Sequence, residues 1–434
     1  MRKIISIPIK NVSHFKEKLL AWAQQFEEIV WLDSNIENTN SKYAKYDAVL
    51  AIDAHTQISC NYKNAFQKLK KYQTTTNDYI FGYLGYDLKN DIENLNSYNL
   101  DGLDFSDLKF FRPKKIFFIK GNTLEIQYLF PFKKEIKLDL KQISSFSNKP
   151  VSKQKPISIL NRISKKEYGK KVENILKHIR QGNIYEVNFC QEFYAENTSI
   201  NPLNVYQNLN HISSPPFATF LKFKNHFLLS ASPERFVKRQ GNTIISQPIK
   251  GTAKRLQNKE EDLKLAKKLF NDPKERAENI MIVDLVRNDL SKTAIRGSVQ
   301  VEELCKIQSF KQVHQLVSTV VSTVETKKNS VEIIKSLFPM GSMTGAPKIS
   351  AMKIIEEQES TKRGLYSGAV GYFAPNNDFD FNVVIRSILY NENKKYVSFT
   401  VGGAITSKSV VEKEYEECLL KADAMKKALN TPFI

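Results

Sequence analysis

The chain has 434 residues, 41% of them hydrophobic and 26% charged, a balance that fits a globular protein with a large buried core and excludes global disorder. No apolar run approaches the roughly 20 residues of a membrane helix, and the opening residues are too short and interrupted for a secretory leader, so a cytoplasmic location without membrane contact is expected. Lys plus Arg number 65 against 46 Asp plus Glu, a formal charge of +19 that suits an anionic partner and equally suits a background bias in composition.

In chain order, helical periodicity is read at residues 13–26 and 62–72, and strand-like stretches at 46–53, 79–86 and 114–128. Residues 141–164, KQISSFSNKPVSKQKPISILNRIS, are rich in Ser, Lys and Pro and poor in aromatics. That composition marks a connector between an N-terminal region, 1–140, and a second region, 165–428. The second region opens with a helix at 165–180, closed by Gly182, and a strand at 184–194. Further strands are read at 218–223, 227–230, 243–248, 368–373, 379–390 and 396–401. They meander instead of alternating with helices, which predicts an α+β fold with sizeable antiparallel sheets. The four cysteines, Cys60, Cys190, Cys305 and Cys418, lack metal-ligand spacing and are expected to be reduced and structural. No phosphate-binding glycine motif is present.

Asp272-Pro273 is a helix start, and it places Glu275 and Glu278 on one face. A helix at 412–428 repeats the spacing with Glu414 and Glu417 and adds Lys421 one turn on. Carboxylates converging from two helices suit Mg²⁺, a hard cation that takes oxygen ligands; the same spacing also fits carboxylates solvated independently. Lys250 follows a strand in QPIKGT, where partial desolvation would lower its proton affinity and make it nucleophilic; a surface lysine fits as well. Glu234 in SPERF reads as a partly buried acid or as a partner of Arg235. Residues 341–348, GSMTGAPK, read as a flexible loop leading into a helix start, a place for an anion or simply a capped helix. On the strand at 379–390, Arg386 either closes a carboxylate clamp or pairs with Asp380. Gly402 and Gly403 leave backbone uncovered for a ligand or a tight turn.

Together SPERF (232–236), PIKGT (248–252), ERAENIMIVDLVRND (275–289), VHQLVST (313–319), FPMGSMTGAPK (338–348), LYSGAVGYF (365–373), VIRS (384–387), VGGAIT (401–406) and EYEECLLKA (414–422) resemble, in that order, the chorismate-utilising enzymes. The resemblance implies an anthranilate synthase component I-like α/β sandwich of two large antiparallel sheets with outer helices, with 165–428 as the chorismate-binding catalytic domain. Lysine in PIKGT is the pattern of the large subunit of aminodeoxychorismate synthase, where anthranilate synthases carry alanine. Isochorismate and salicylate synthases have a general-base lysine at the position of Glu186, which sets this chain apart from them.

The resemblance implies Mg²⁺ held by Glu278 and Glu417 with Glu275 and Glu414 behind, Lys250 as nucleophile and Glu234 as acid. It places His314 and Thr344 near the reacting hydroxyl and ring. Glu186, Thr252, Tyr366, Arg386, Gly402, Gly403, Ala404 and Lys421 are expected to bind substrate. Family members hold tryptophan in a pocket matched here by Ser34, Tyr43, Ala44, Lys45, Tyr46, Pro216, Phe217 and Ala218, several of which depart from the usual side chains. The chain shows no glutaminase nucleophile elbow, so ammonia is expected from a separate glutamine amidotransferase subunit or from solution. A basic nucleic-acid binder, the reading from charge alone, lacks RGG tracts, RNP-like aromatics or a concentrated basic stripe.

Overall fold

The computed structural model describes residues 1–35, 42–146, 157–310 and 313–430. Among them, twenty strands form one hydrogen-bonded network. It divides into two antiparallel sheets that share a long ladder, Ala48–Cys60 on Leu108–Lys120, which kinks at a register shift between Ala54 and Thr56.

The first sheet runs from Arg2–Pro8 through Thr123–Leu129, the shared ladder, Glu28–Asp33, Phe217–Phe223, His226–Ser232, Ser387–Asn391 and Tyr396–Thr406 to Glu186–Ala195. The second leaves the other end of Leu108–Lys120 and runs through Ile80–Leu84, Ala369–Phe373, Phe379–Val383, Arg235–Gln240 and Thr243–Gln247 to Val313–Thr323. That last strand also carries Ile249–Lys254 and Gln300–Ser309.

Strand alternation explains the layering. Val30, Val49 and Ala51 point into the core between the sheets with Phe81, Phe110 and Phe381, while Ile29, Trp31, Leu50 and Ile52 point the other way onto the outer helices. A third, smaller core packs the helices Lys165–Arg180 and Lys348–Gln358 on Glu186–Ala195.

Several expectations are corrected. The regions 1–140 and 165–428 are not separate bodies: Ile80–Leu84 pairs with Ala369–Phe373, Glu28–Asp33 pairs with Phe217–Phe223, and both main cores draw on both regions. The expected connector begins too early, because Ile136–Ser145 is helical; its residues 147–156 lie outside the described residues. The stretch 114–128 is a hairpin turned at Gly121, whose φ of +52° a glycine adopts without strain. The strand at 379–390 breaks after Val383 and resumes at Ser387, with Arg386 in the left-handed region at φ +50°. No helix among the described residues is long and apolar enough to cross a membrane.

Candidate active site

Lys250 lies near the start of Ile249–Lys254, where the register slips at Gly251 (φ +85°): Lys250 opposes Leu316, and Thr252 opposes Gln315. Adjacent partners face opposite ways, so this bulge turns the two side chains to opposite faces. Lys250 points inward and donates from Nζ to Glu186 Oε1 at 2.9 Å. Glu186 is 2% exposed, and its other oxygen has no partner among the described residues. Burial is the strongest single influence on the Lys250 amine and pulls it down, yet Glu186, with Glu278 and Glu234 behind it, together hold the amine above the ordinary lysine range. The expected desolvation is present, but the expected lowering of proton affinity is corrected: the ion pair with Glu186 outweighs burial and holds Lys250 as an ammonium.

Glu234 sits in the turn between His226–Ser232 and Arg235–Gln240, 5% exposed. Burial pushes its carboxyl up to about 7, against the opposing pull of Ser342, Lys250 and Arg386. Ser342 Oγ donates to Glu234 Oε1 at 2.6 Å. The alternative partner, Arg235, is taken: it binds Asp380 at 3.0 Å, which also removes Asp380 from Arg386. The Arg386 guanidinium has no acceptor among the described residues and feels Glu234. It is available for an anion.

The two carboxylate pairs stand on two helices. Asp272 accepts from the backbone N–H groups of Lys274 and Glu275 and starts Pro273–Ser291. Glu414, Glu417 and Lys421 lie on Val411–Asn430. Lys421 Nζ bridges Glu417 Oε1 at 2.7 Å and the Gly402 carbonyl at 2.9 Å. A Cβ on Gly403 would come within 3.4 Å of Glu414 Oε2 and 3.8 Å of Glu417 Oε1, so the bare backbone faces these carboxylates.

Burial raises Glu275, Glu278 and Glu414, with Glu278 pushed up to about 7, and Glu275 is raised further by Glu417 on the other helix. Lys421 holds Glu417 below the ordinary range. An all-oxygen donor set, three of its four carboxylates with raised proton affinity, is of the chemical type that a hard divalent cation takes. In the described arrangement no three acidic, His or Cys side chains are gathered tightly enough to hold one, and Lys274 and Lys421 lie 3.8 and 2.7 Å from Glu278 and Glu417.

The side chains of other expected residues are engaged locally. His314 has both ring nitrogens engaged elsewhere, by Ser309 at 2.7 Å and Asp262 at 3.0 Å. Thr344 is fully buried, and its hydroxyl bonds the carbonyls of Met340 and Gly341. Thr252, turned outward by the bulge, accepts from Gln315. The Tyr366 hydroxyl meets the Cys190 sulfur at 3.5 Å. Gly402 serves the ladder, since a Cβ there would lie 2.2 Å from the Phe189 carbonyl, and Ala404 opposes Asn188 in the same ladder. The loop at 341–348 is packed instead of flexible: Gly341 to Gly345 are buried, the amides of Met343 and Thr344 bond back to Met340 and Gly341, and Lys348 pairs with Asp289 at 2.5 Å. Sequence reasoning missed Ser342, although it lies inside the motif that drew attention to Thr344.

A cavity of about 720 Å³ adjoins the cluster. Ser34, Tyr43, Ala44, Lys45, Tyr46, Pro216, Phe217 and Ala218 all line it, together with Pro233, Arg235 and Ile249. Chain neighbours of those last three, Glu234 and Lys250, face the other way. The cavity and the reacting cluster are thus back to back across two shared segments.

Residues 27–427 match the family described as chorismate binding enzyme. The chain belongs to this family. Among chorismate binding enzymes, it is 32% identical over 368 residues to aminodeoxychorismate synthase component 1 of Bacillus subtilis, covering 80% of this chain and 76% of that one. It is 38% identical over 278 residues to anthranilate synthase component 1 of Acetivibrio thermocellus, covering 64% of this chain and 56% of the relative, so the match spans little more than half of that relative. The fold is that of anthranilate synthase component I from Streptococcus pneumoniae, with a TM-score of 0.79 at 24% identity over 90% of this chain and 94% of that structure.

Proposed function

We propose that this chain is the large subunit of an aminodeoxychorismate synthase, which transfers the amino group of ammonia to C4 of chorismate and gives 4-amino-4-deoxychorismate. The observation that carries the reading is the inward-facing Lys250, ion-paired to Glu186 in the same buried cluster as the acid Glu234. Mg²⁺, when held by Glu278 and Glu417 with Glu275 and Glu414 behind, supplies an electrophilic pull on the ring carboxylate of the substrate.

Lys250 first gives up a proton, for which Glu186 is the nearest acceptor, and its amine then attacks C2. As the C2–N bond forms, both ring double bonds shift, C1=C2 to C1=C6 and C5=C6 to C4=C5, and the C4–O bond breaks; Glu234 donates the proton with which that oxygen leaves as water. Ammonia attacks C4, both ring double bonds shift back, and the C2–N bond breaks to return the lysine amine. Arg386, lacking an internal acceptor, and Lys421 bind the substrate carboxylates. Ammonia comes from a separate glutamine amidotransferase subunit, and the 720 Å³ cavity takes an aromatic amino acid such as tryptophan.

A second reading, anthranilate synthase component I, is favoured by the Acetivibrio relative. Chorismate, Mg²⁺ and an ammonium salt separate the two by product mass: an aminated product that keeps the enolpyruvyl group is expected. Fluorescent anthranilate formed without an added lyase would overturn the proposal. Lys250→Ala is expected to abolish C4 amination and to divert ammonia to C2.

A further inference from the structure

Behind the reacting cluster lies a side chain that touches none of its acids directly. Arg363 is 4% exposed and spends every donor it has. Nε and one Nη2 hydrogen go to Glu359 at 2.9 and 2.7 Å, the other Nη2 hydrogen to the Asn188 carbonyl at 2.7 Å, and Nη1 to the Met343 carbonyl at 2.6 Å and Ser367 Oγ at 3.4 Å. Its plane lies over the Tyr86 ring, 4.6 Å from the centroid. Glu359 Oε1 also accepts from the Cys190 backbone N–H at 3.0 Å. The pair thereby grips two separate segments: the strand Glu186–Ala195, at Asn188 and Cys190, and the turn Gly341–Met343, at Met343.

Those segments carry the groups that hold the proposed nucleophile and acid. Glu186, two residues before Asn188, binds Lys250; Ser342, next to Met343, binds Glu234. The Asn188 side chain closes the link by donating to the Ser342 carbonyl at 3.0 Å, and the Asn188 amide donates to the Thr344 carbonyl at 2.8 Å. We propose that Arg363 is a positioning residue: it locks the Gly341–Met343 turn to the Glu186 strand and so keeps the Ser342 hydroxyl on Glu234. A guanidinium is the side chain suited to the task, because its five donors, fixed in one plane, are all used at once; an ammonium has three donors and no planar fork.

The inference rests on the reading of Glu234 as the acid only for its catalytic consequence, so its test reads Glu234 without turnover. The groups facing Glu234 are Ser342, Lys250 and Arg386, and all three favour the carboxylate. Losing the Ser342 bond alone raises the midpoint of Glu234. The measurement is the protonated-carboxyl band in infrared difference spectra of the full chain against pH, assigned by its absence in Glu234→Gln.

Ser342→Ala is expected to move the midpoint upward by about one unit or more. Arg363→Lys is expected to move it the same way, and the double variant no further than Ser342→Ala alone. A lysine variant whose midpoint stays at the parent value, or whose shift adds in full to that of Ser342→Ala, would overturn the proposal. Should Arg363→Lys fail to fold, Asn188→Ala cuts the link to the Ser342 carbonyl and is expected to give the upward shift; an unchanged midpoint overturns the proposal equally. Coupled midpoint shifts in a protein that yields no aminated chorismate support the positioning role and defeat the functional reading instead.

Discussion

Glu234 keeps its proton to about pH 7 because burial disfavours its charge more than Ser342, Lys250 and Arg386 together favour it. An acid that must be protonated to act fails as pH climbs through that value. The kcat/KM of the parent enzyme is therefore expected to fall about tenfold per unit above pH 7, and Glu234→Gln, with the shape but no acidic proton, to lose about 10²- to 10⁴-fold in kcat with little change in KM. An alkaline limb that is the same in parent and variant would sink this assignment.

At this scale the desolvation of Lys250 and the burial of Glu234 were legible from short motifs, and the pairing of their neighbours was not. Thr252 looks like a companion of Lys250 when residues are counted in twos, but the count assumes unbroken register, and Gly251 breaks it. Ser342 carried no signal of its own, because a serine in a turn is ordinary until the turn is seen to fold back onto an acid. The expected low proton affinity of Lys250 failed for a related reason: desolvation was read from the sequence, and the compensating carboxylate at residue 186 came from a distant strand.

Helix caps and i, i+3 spacing read well at the level of elements. Asp272 caps as expected, and both carboxylate pairs stand on the expected helices. Strand ends read poorly, since the breaks at Gly121 and Arg386 are set by left-handed backbone that periodicity does not report.

The two helices also make the metal proposal testable. Mg²⁺ binding to the folded chain alone is expected to raise Tm, the gain growing with concentration, and Glu278→Gln or Glu417→Gln is expected to remove most of it. Because Glu278 is protonated below about pH 7, Mg²⁺ must displace that proton; its affinity is expected to weaken about tenfold per unit below pH 7 and to level off above. A Tm gain that survives in both variants would place the cation elsewhere.

For the molecule as a whole, the fold class was legible and the partition was not. Composition shows where a chain is exposed, whereas only pairing shows which strands share a sheet, and here the first 140 residues are laced into the rest by Ile80–Leu84 on Ala369–Phe373 and Glu28–Asp33 on Phe217–Phe223. Residues 1–146 expressed alone are consequently expected to lack a cooperative unfolding transition, and to regain one when residues 157–434 are supplied; a stable, cooperatively melting fragment would restore the two-body view. The formal +19 finds its place at this scale too. The cluster itself sets Glu186, Glu234, Glu275, Glu278, Glu414 and Glu417 against Lys250, Lys274, Arg386 and Lys421, so the basic excess lies away from the chemistry.

The shared ladder has a consequence for how the protein is made. Ala48–Cys60 and Leu108–Lys120 leave the ribosome early, while several strands that extend their two sheets are encoded far downstream. Until those arrive, the half-made chain carries two short apolar strands, Glu28–Asp33 and Ile80–Leu84, with open edges, the kind of surface that seeks other chains. Slower translation through the second half, or fewer chaperones to shield the first, is therefore expected to lower the yield of folded protein.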